Sequence, residues 1–195
     1  VPFAVREETI GVRGGTVERL RVRTSRHGPV ISDRIGGAAP GHVLALAWSA
    51  LEGEAGTLEA ALEVAMAGSV EAALAALEGF GAPVQNVAFA DRAGRIALQV
   101  AGRLPQRTRG DGRLPVDGAA GGPAWAGTVP PGSLPRAVDP AAGTIVNANN
   151  RVVAADHPVL VTRDWPPALR ALRIQELLAA TDRLDVEAAR RIQLD

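Results

Sequence analysis

Three asparagines crowd the stretch Gly143-Thr144-Ile145-Val146-Asn147-Ala148-Asn149-Asn150-Arg151-Val152, whose other residues suit a buried strand. Asparagine is depleted in strands and costly to bury without partners. Alternation along a strand would set Ile145, Asn147 and Asn149 on one face and Val146, Ala148 and Asn150 on the other. Two amides on one face imply a use, either a polar network or a site. Two readings stay open. In the first, which the residues alone favour, a strand end lets Asn147, Asn149 and Asn150 bond local backbone. In the second, an amide donates to a developing oxyanion, a contribution of ~3 kcal/mol to transition-state stabilisation.

A second clue comes from the apolar periodicity that follows. At helical spacing Ala171, Ile174, Leu177 and Leu178 define an apolar arc, and Arg170 falls inside it while Arg173 and Glu176 lie on the polar side. A guanidinium drawn inward or along the core edge needs a carboxylate, carbonyl or asparagine partner. The alternative is an arginine that snorkels from the helix start.

Other candidates carry less. His27, in His-Gly-Pro-Val, reads as a turn histidine with catalysis as the lesser reading, and Gly110-Asp111-Gly112 reads as a turn with a cation role as the lesser reading. No Gly-x-Ser-x-Gly elbow, P-loop or Rossmann fingerprint occurs. Without cysteine, disulfides, thiolate zinc and a Cys nucleophile are excluded. His27, His42 and His157 have no metal-ligand spacing, whereas calcium, needing only oxygen ligands, stays open.

These residues need a scaffold, and 195 residues at 47% hydrophobic content suffice for one substantial core. The formal charge is zero, all 21 basic residues being arginine against 21 acidic ones, so no net field draws nucleic acid or anionic lipid. The longest apolar runs fall far short of the ~20 residues of a membrane span. No nucleic-acid or membrane partner is expected.

The pattern predicts strands on both sides of His27-Gly28-Pro29 and a strand over 42–51 that includes Trp48. Helices are expected over 57–67 and 69–80, opened by the hydroxyls of Thr57 and Ser69 and separated near Gly68. Apolar runs at 84–90 and 95–101 flank Asp91-Arg92-Ala93-Gly94 and predict a β-hairpin. Residues 102–143 form a long Gly/Pro-rich segment without periodicity. The asparagine strand follows, then helices over 168–180 and from about Asp185 onward. No linker or internal repeat divides the chain, so 1–195 is read as one piece.

Several short motifs occur in a shared order: Thr24-Ser25-Arg26-His27-Gly28-Pro29-Val30-Ile31, Ala45-Leu46-Ala47-Trp48, Pro83-Val84-Gln85-Asn86 with Ala90-Asp91, Gly102-Arg103-Leu104-Pro105, Gly112-Arg113-Leu114-Pro115-Val116, Trp125-Ala126-Gly127, Leu134-Pro135-Arg136 and Ala148-Asn149-Asn150-Arg151. This collinear set resembles the penicillin acylase (penicillin amidase) family of N-terminal nucleophile hydrolases, in the middle of the β-subunit. The resemblance implies an α+β fold, part of the four-layer αββα architecture with antiparallel sheet and helices. It also implies a precursor cut autocatalytically to expose a serine whose own α-amino group acts as base.

Carried over by position, Asn149 resembles the asparagine that completes the oxyanion hole, and Arg170 the arginine that organises the catalytic network. Pro115 resembles a position lending its carbonyl to structural calcium in some members; no cofactor is implied for the chemistry itself. The implied partners are an N-acyl small molecule, the remainder of the β-chain and the α-chain of the same precursor, and the parent is expected to be periplasmic or extracellular. The segment that carries the nucleophile is expected to precede Val1, so these 195 residues read as an inactive fragment of a larger linear-amide hydrolase. Departures include Asp139-Pro140 in place of the frequent Asn-Pro, Ala97-Leu98 in place of Gly-Tyr, and few aromatics. The rival reading is a non-catalytic binding or scaffold domain that retains the fold.

Overall fold

The computed structural model describes residues 2–53, 56–119, 121, 124–181 and 183–195. Along the chain the regular elements are β1 (Ala4–Ile10), β2 (Glu18–Ser25), β3 (Gly28–Pro29), α1 (Ser32–Ile35), α2 (Thr57–Met66), α3 (Val70–Ala76), β4 (Gln85–Ala90), β5 (Ile96–Ala101), β6 (Pro105–Arg107), β7 (Trp125–Thr128), β8 (Arg136–Val138), α4 (Leu169–Ala179) and α5 (Val186–Gln193). The chain divides into two compact units, Val1–Ala55 with Pro105–Thr128, and Gly56–Leu104 with Val129–Asp195.

In the first unit β1, β2 and β3 form an antiparallel sheet in that order, with Ala4 opposite Thr24 and Ser25 opposite Gly28. The predicted strands around His27-Gly28-Pro29 are present as β2 and β3. The predicted strand over 42–51 is not: it is reduced to one bridge, Ala45 with Val30, followed by a 3-10 turn at Ser49–Leu51. The cause is local. The Leu44 carbonyl accepts from Ile31 N–H at 2.9 Å and Leu46 N–H donates to Pro29 at 2.9 Å, but no longer ladder continues from them. Gly28 makes this approach possible, since at φ +116 a Cβ there would lie 2.0 Å from the Leu46 carbonyl oxygen. β6 and β7 pair antiparallel across an irregularity between Pro105 and Arg107.

In the second unit β4, β5 and β8 make an antiparallel sheet, and the expected hairpin is β4 with β5, Gln85 opposite Ala101 and Ala90 opposite Ile96. Asp91 closes its turn by accepting from Ala93 and Arg95 N–H at 2.9 and 3.0 Å. Helix α2 occupies its predicted span, whereas α3 ends at Ala76 and the rest of the 69–80 span continues as a 3-10 turn over Leu77–Gly79. Ser69 caps α3, accepting from Ala72 N–H at 3.2 Å. Thr57 does not cap α2: it is the first helical residue after Gly56, and its hydroxyl exchanges hydrogen bonds with the backbone of Ala82.

The core of this unit is aliphatic. Val70 and Val100 are each 1% exposed, a burial that contributes roughly 1.5–3 kcal/mol apiece. Val100, Leu104 and Leu134 form a cluster against which Val84, Val129, Val152, Val159 and Val161 pack. Three of those valines belong to the segment just after the asparagines, so the sheet core anchors that segment. The segment 102–143 contains β6, β7 and β8 despite its lack of periodicity; its positions 120, 122 and 123 lie outside the described residues.

Candidate active site

The stretch 143–152 is not a strand. Side chains take the backbone groups that a ladder would have used: Asn150 Oδ1 accepts from Ala148 N–H at 3.0 Å, and Asn147 Oδ1 accepts from Asn149 N–H at 3.4 Å. Such links between positions two apart compete with sheet hydrogen bonding. Asn149 then adopts φ +64, the left-handed region that asparagine enters at less cost than most residues. The expectation of a strand is overturned here, and the bonding of local backbone by Asn147 and Asn150 is present.

Arg170 sits in the first turn of α4. The helix buries Ala171 and half-covers Ile174, Leu177 and Leu178, the arc read from the sequence. Arg170 itself is exposed rather than drawn into that arc, because its side chain runs along the edge to the asparagine turn. Its Nη2 donates to the Ala148 carbonyl at 2.7 Å and to Asn149 Oδ1 at 3.3 Å, one bond for each of its two hydrogens.

This contact fixes the amide. A guanidinium only donates, so the oxygen of Asn149 must face Arg170 and the nitrogen must face away. Asn149 Nδ2 makes no hydrogen bond among the described residues, and the residue is exposed. The arrangement is a side-chain amide donor, oriented and unspent, on a turn braced by side chains. Two donors of the same unit, Asn147 Nδ2 and Trp165 Nε1, are buried without partners.

The remaining candidates lie in the first unit. His27 Nε2 is 3.0 Å from the Gly118 carbonyl and accepts from Arg26 Nε at 3.0 Å, and Arg26 Nη2 donates to the same carbonyl at 2.9 Å. The His27 N–H is taken by Ser25 Oγ at 3.1 Å. His27 is thus engaged within its own turn and its neighbour at Gly118. Asp111 is paired with Arg113, whose guanidinium holds the Asp111 carboxyl below the usual carboxylate range. Pro115 is exposed in the cleft formed with Gly110, Asp111, Arg113, Leu114 and Val116. The one carboxylate there is already neutralised by arginine, and among the described residues no cluster of three histidines or carboxylates could hold a metal ion. Sequence reasoning missed the Ala148 carbonyl as the nearer acceptor of Arg170, a backbone contact with no signature of its own.

The sequence matches the family profile described as penicillin amidase over residues 1–195. The chain belongs to the penicillin amidase family. Among curated relatives, it is 38% identical over its whole length to the penicillin acylase 2 proenzyme of Pseudomonas sp. strain SE83, covering 25% of that protein. It is 35% identical, again over its whole length, to the acyl-homoserine lactone acylase QuiP of Pseudomonas fluorescens, covering 24% of it. The chain therefore spans about a quarter of the curated relatives it matches. Its structure is similar to that of a thermostable penicillin G acylase from Alcaligenes faecalis, with a TM-score of 0.75 and 26% identity over 95% of this chain and 33% of that one. The α+β fold of antiparallel sheets and helices, part of the N-terminal nucleophile hydrolase architecture, is that of the penicillin amidase family.

Proposed function

We propose that the parent protein hydrolyses a linear amide through an acyl-enzyme, with Asn149 donating its side-chain N–H to the oxyanion. The observation that supports this most directly is the Arg170 contact: it commits Oδ1 and leaves Nδ2 oriented outward as a donor. In an acyl transfer the nucleophile adds to the scissile carbonyl, negative charge gathers on its oxygen, the C–N bond breaks and the protonated amine leaves. Water then hydrolyses the resulting ester. A donor fixed before the charge develops needs no reorganisation during the step. Arg170 acts beside it as an orienting group and a nearby positive charge.

On this reading the nucleophile, an N-terminal serine with its own α-amino group as base, is supplied by a part of the parent outside these 195 residues. The remaining β-chain and the α-chain complete the site, and the 195 residues alone are inactive. The substrate class is an N-acyl compound whose amine is a β-lactam nucleus or a homoserine lactone, a choice supported by the names of the relatives. No cofactor takes part; structural calcium and a periplasmic or extracellular location belong to the same proposal for the parent.

The test is Asn149→Ala beside Asn149→Gly in the full-length parent. Glycine keeps the left-handed backbone and alanine strains it, so an equal fall in kcat of about 10²–10³ in both assigns the loss to the amide. Turnover unchanged in both variants removes the donor role and favours a scaffold.

A further inference from the structure

Ala148 is 7% exposed, and side chains hold both of its backbone polar groups. Its N–H donates to Asn150 Oδ1 at 3.0 Å and its carbonyl accepts from Arg170 Nη2 at 2.7 Å. The Asn149 side chain departs from the next Cα, at φ +64, with no strand ladder on either side. A turn without a ladder samples many conformations unless something fixes it. Yet an oxyanion donor must stay within a fraction of an ångström of its place, since a displacement of about 1 Å can cost 10²-fold in rate.

Arg170 fixes the plane of the Asn149 amide from outside the turn. It does not fix the Ala148 N–H, which points to another partner. The second asparagine supplies that partner. Asn150 bonds backward to Ala148 through Oδ1 and forward through Nδ2 to the Arg151 carbonyl at 3.2 Å, so both ends of its amide are used within the turn. The Asn147 contact with Asn149 N–H, at 3.4 Å, is longer and weaker.

We propose that Asn150 is a positioning residue for acyl transfer, acting through Asn149 by holding the Ala148 peptide. The proposal rests on the reading of Asn149 as the oxyanion donor. It assigns the two neighbouring asparagines opposite duties: Asn149 presents an amide outward, and Asn150 turns its amide inward to brace the backbone.

A double-mutant cycle in the full-length parent, assayed on an N-acyl substrate, separates the two claims. Asn150→Ala is expected to lower kcat about tenfold with KM within about twofold, and Asn149→Ala to lower it about 10²-fold or more. The double variant should match Asn149→Ala alone, because a brace has no further effect once its donor is gone. If Asn150→Ala costs nothing, or costs the same factor in both backgrounds, the positioning role is overturned while the donor reading stands. If Asn149→Ala itself is fully active, the donor reading falls and takes this proposal with it. Should Asn150→Ala not accumulate as soluble enzyme, Asn150→Ser, too short to span the same distance, completes the cycle.

Discussion

The Nη2 of Arg170 lies closer to the carbonyl of Ala148, at 2.7 Å, than to Asn149 Oδ1, at 3.3 Å. The arginine therefore belongs to the backbone of the turn at least as much as to the amide beside it. Arg170→Lys replaces a planar donor carrying two directed hydrogens with a rotating ammonium. In the proposed parent it should lower kcat roughly tenfold, or ~1.4 kcal/mol. Arg170→Ala should lower it by about 10² or more, because it frees the amide to rotate and leaves a part-buried carbonyl unpaired at ~1–3 kcal/mol. Steady-state kinetics on an N-acyl substrate checks both, with circular dichroism confirming that the variants are folded; full activity in Arg170→Ala would remove the residue from the site.

Gly28 and Leu46 set a second expectation. A Cβ at position 28 would sit 2.0 Å from the Leu46 oxygen at φ +116, so Gly28→Ala must break the contact between β3 and the 44–46 segment or distort β3. Backbone strain plus a lost hydrogen bond should cost about 3 kcal/mol. Gly132→Ala, where the added atom meets nothing within 4 Å, is the matched control and should be near neutral. Chemical denaturation of the two variants gives the comparison, and equal stabilities would contradict the close approach.

Acid titration provides a third. Asp91 accepts N–H bonds from Val70, Arg95 and Ala93, with the Val70 bond the largest of the causes that hold its carboxyl below the ordinary value. The folded state then binds fewer protons than the unfolded one at this group. Its contribution is fully present above the unfolded value of about 4 and is lost as pH falls below that toward the folded pKa. Asp91→Asn should therefore be less stable than the native chain at pH 7, and the gap should narrow below about pH 4. Paired denaturation curves across that range test it; a constant gap would show that the carboxylate is not the source.

Much of the scaffold is legible in residue patterns, and the failures share a physical origin. The hairpin of β4 and β5 follows from two apolar runs around Asp91-Arg92-Ala93-Gly94, and α3 from the Ser69 cap, because local chemistry specifies each. Strand β1 has no apolar alternation of its own to mark it: Val5-Arg6-Glu7-Glu8-Thr9 is mostly exposed and becomes a strand by pairing with β2. The segments 42–51 and 143–152 carry strand-like apolar spacing but lack a continuous neighbour, one stopping at the Val30–Ala45 bridge and the other diverted into asparagine links.

At the candidate site, helical periodicity together with the family resemblance picks out Arg170 and Asn149 as a pair, and the structure brings them within hydrogen-bond reach. The manner of contact was not legible. A helical wheel places Arg170 by angle alone, whereas a side chain of its length reaches out of the arc to a carbonyl that no sequence pattern marks. The division of labour among Asn147, Asn149 and Asn150 depends on a left-handed residue, which a strict strand alternation conceals.

The group that orients Asn149 is a guanidinium, which donates hydrogen bonds and accepts none. Asn149 itself is an amide with no titratable proton. In the proposed acyl transfer the limbs of a pH profile would then be written by the nucleophile and its base, and substitutions at Asn149 should lower the profile without moving its limbs.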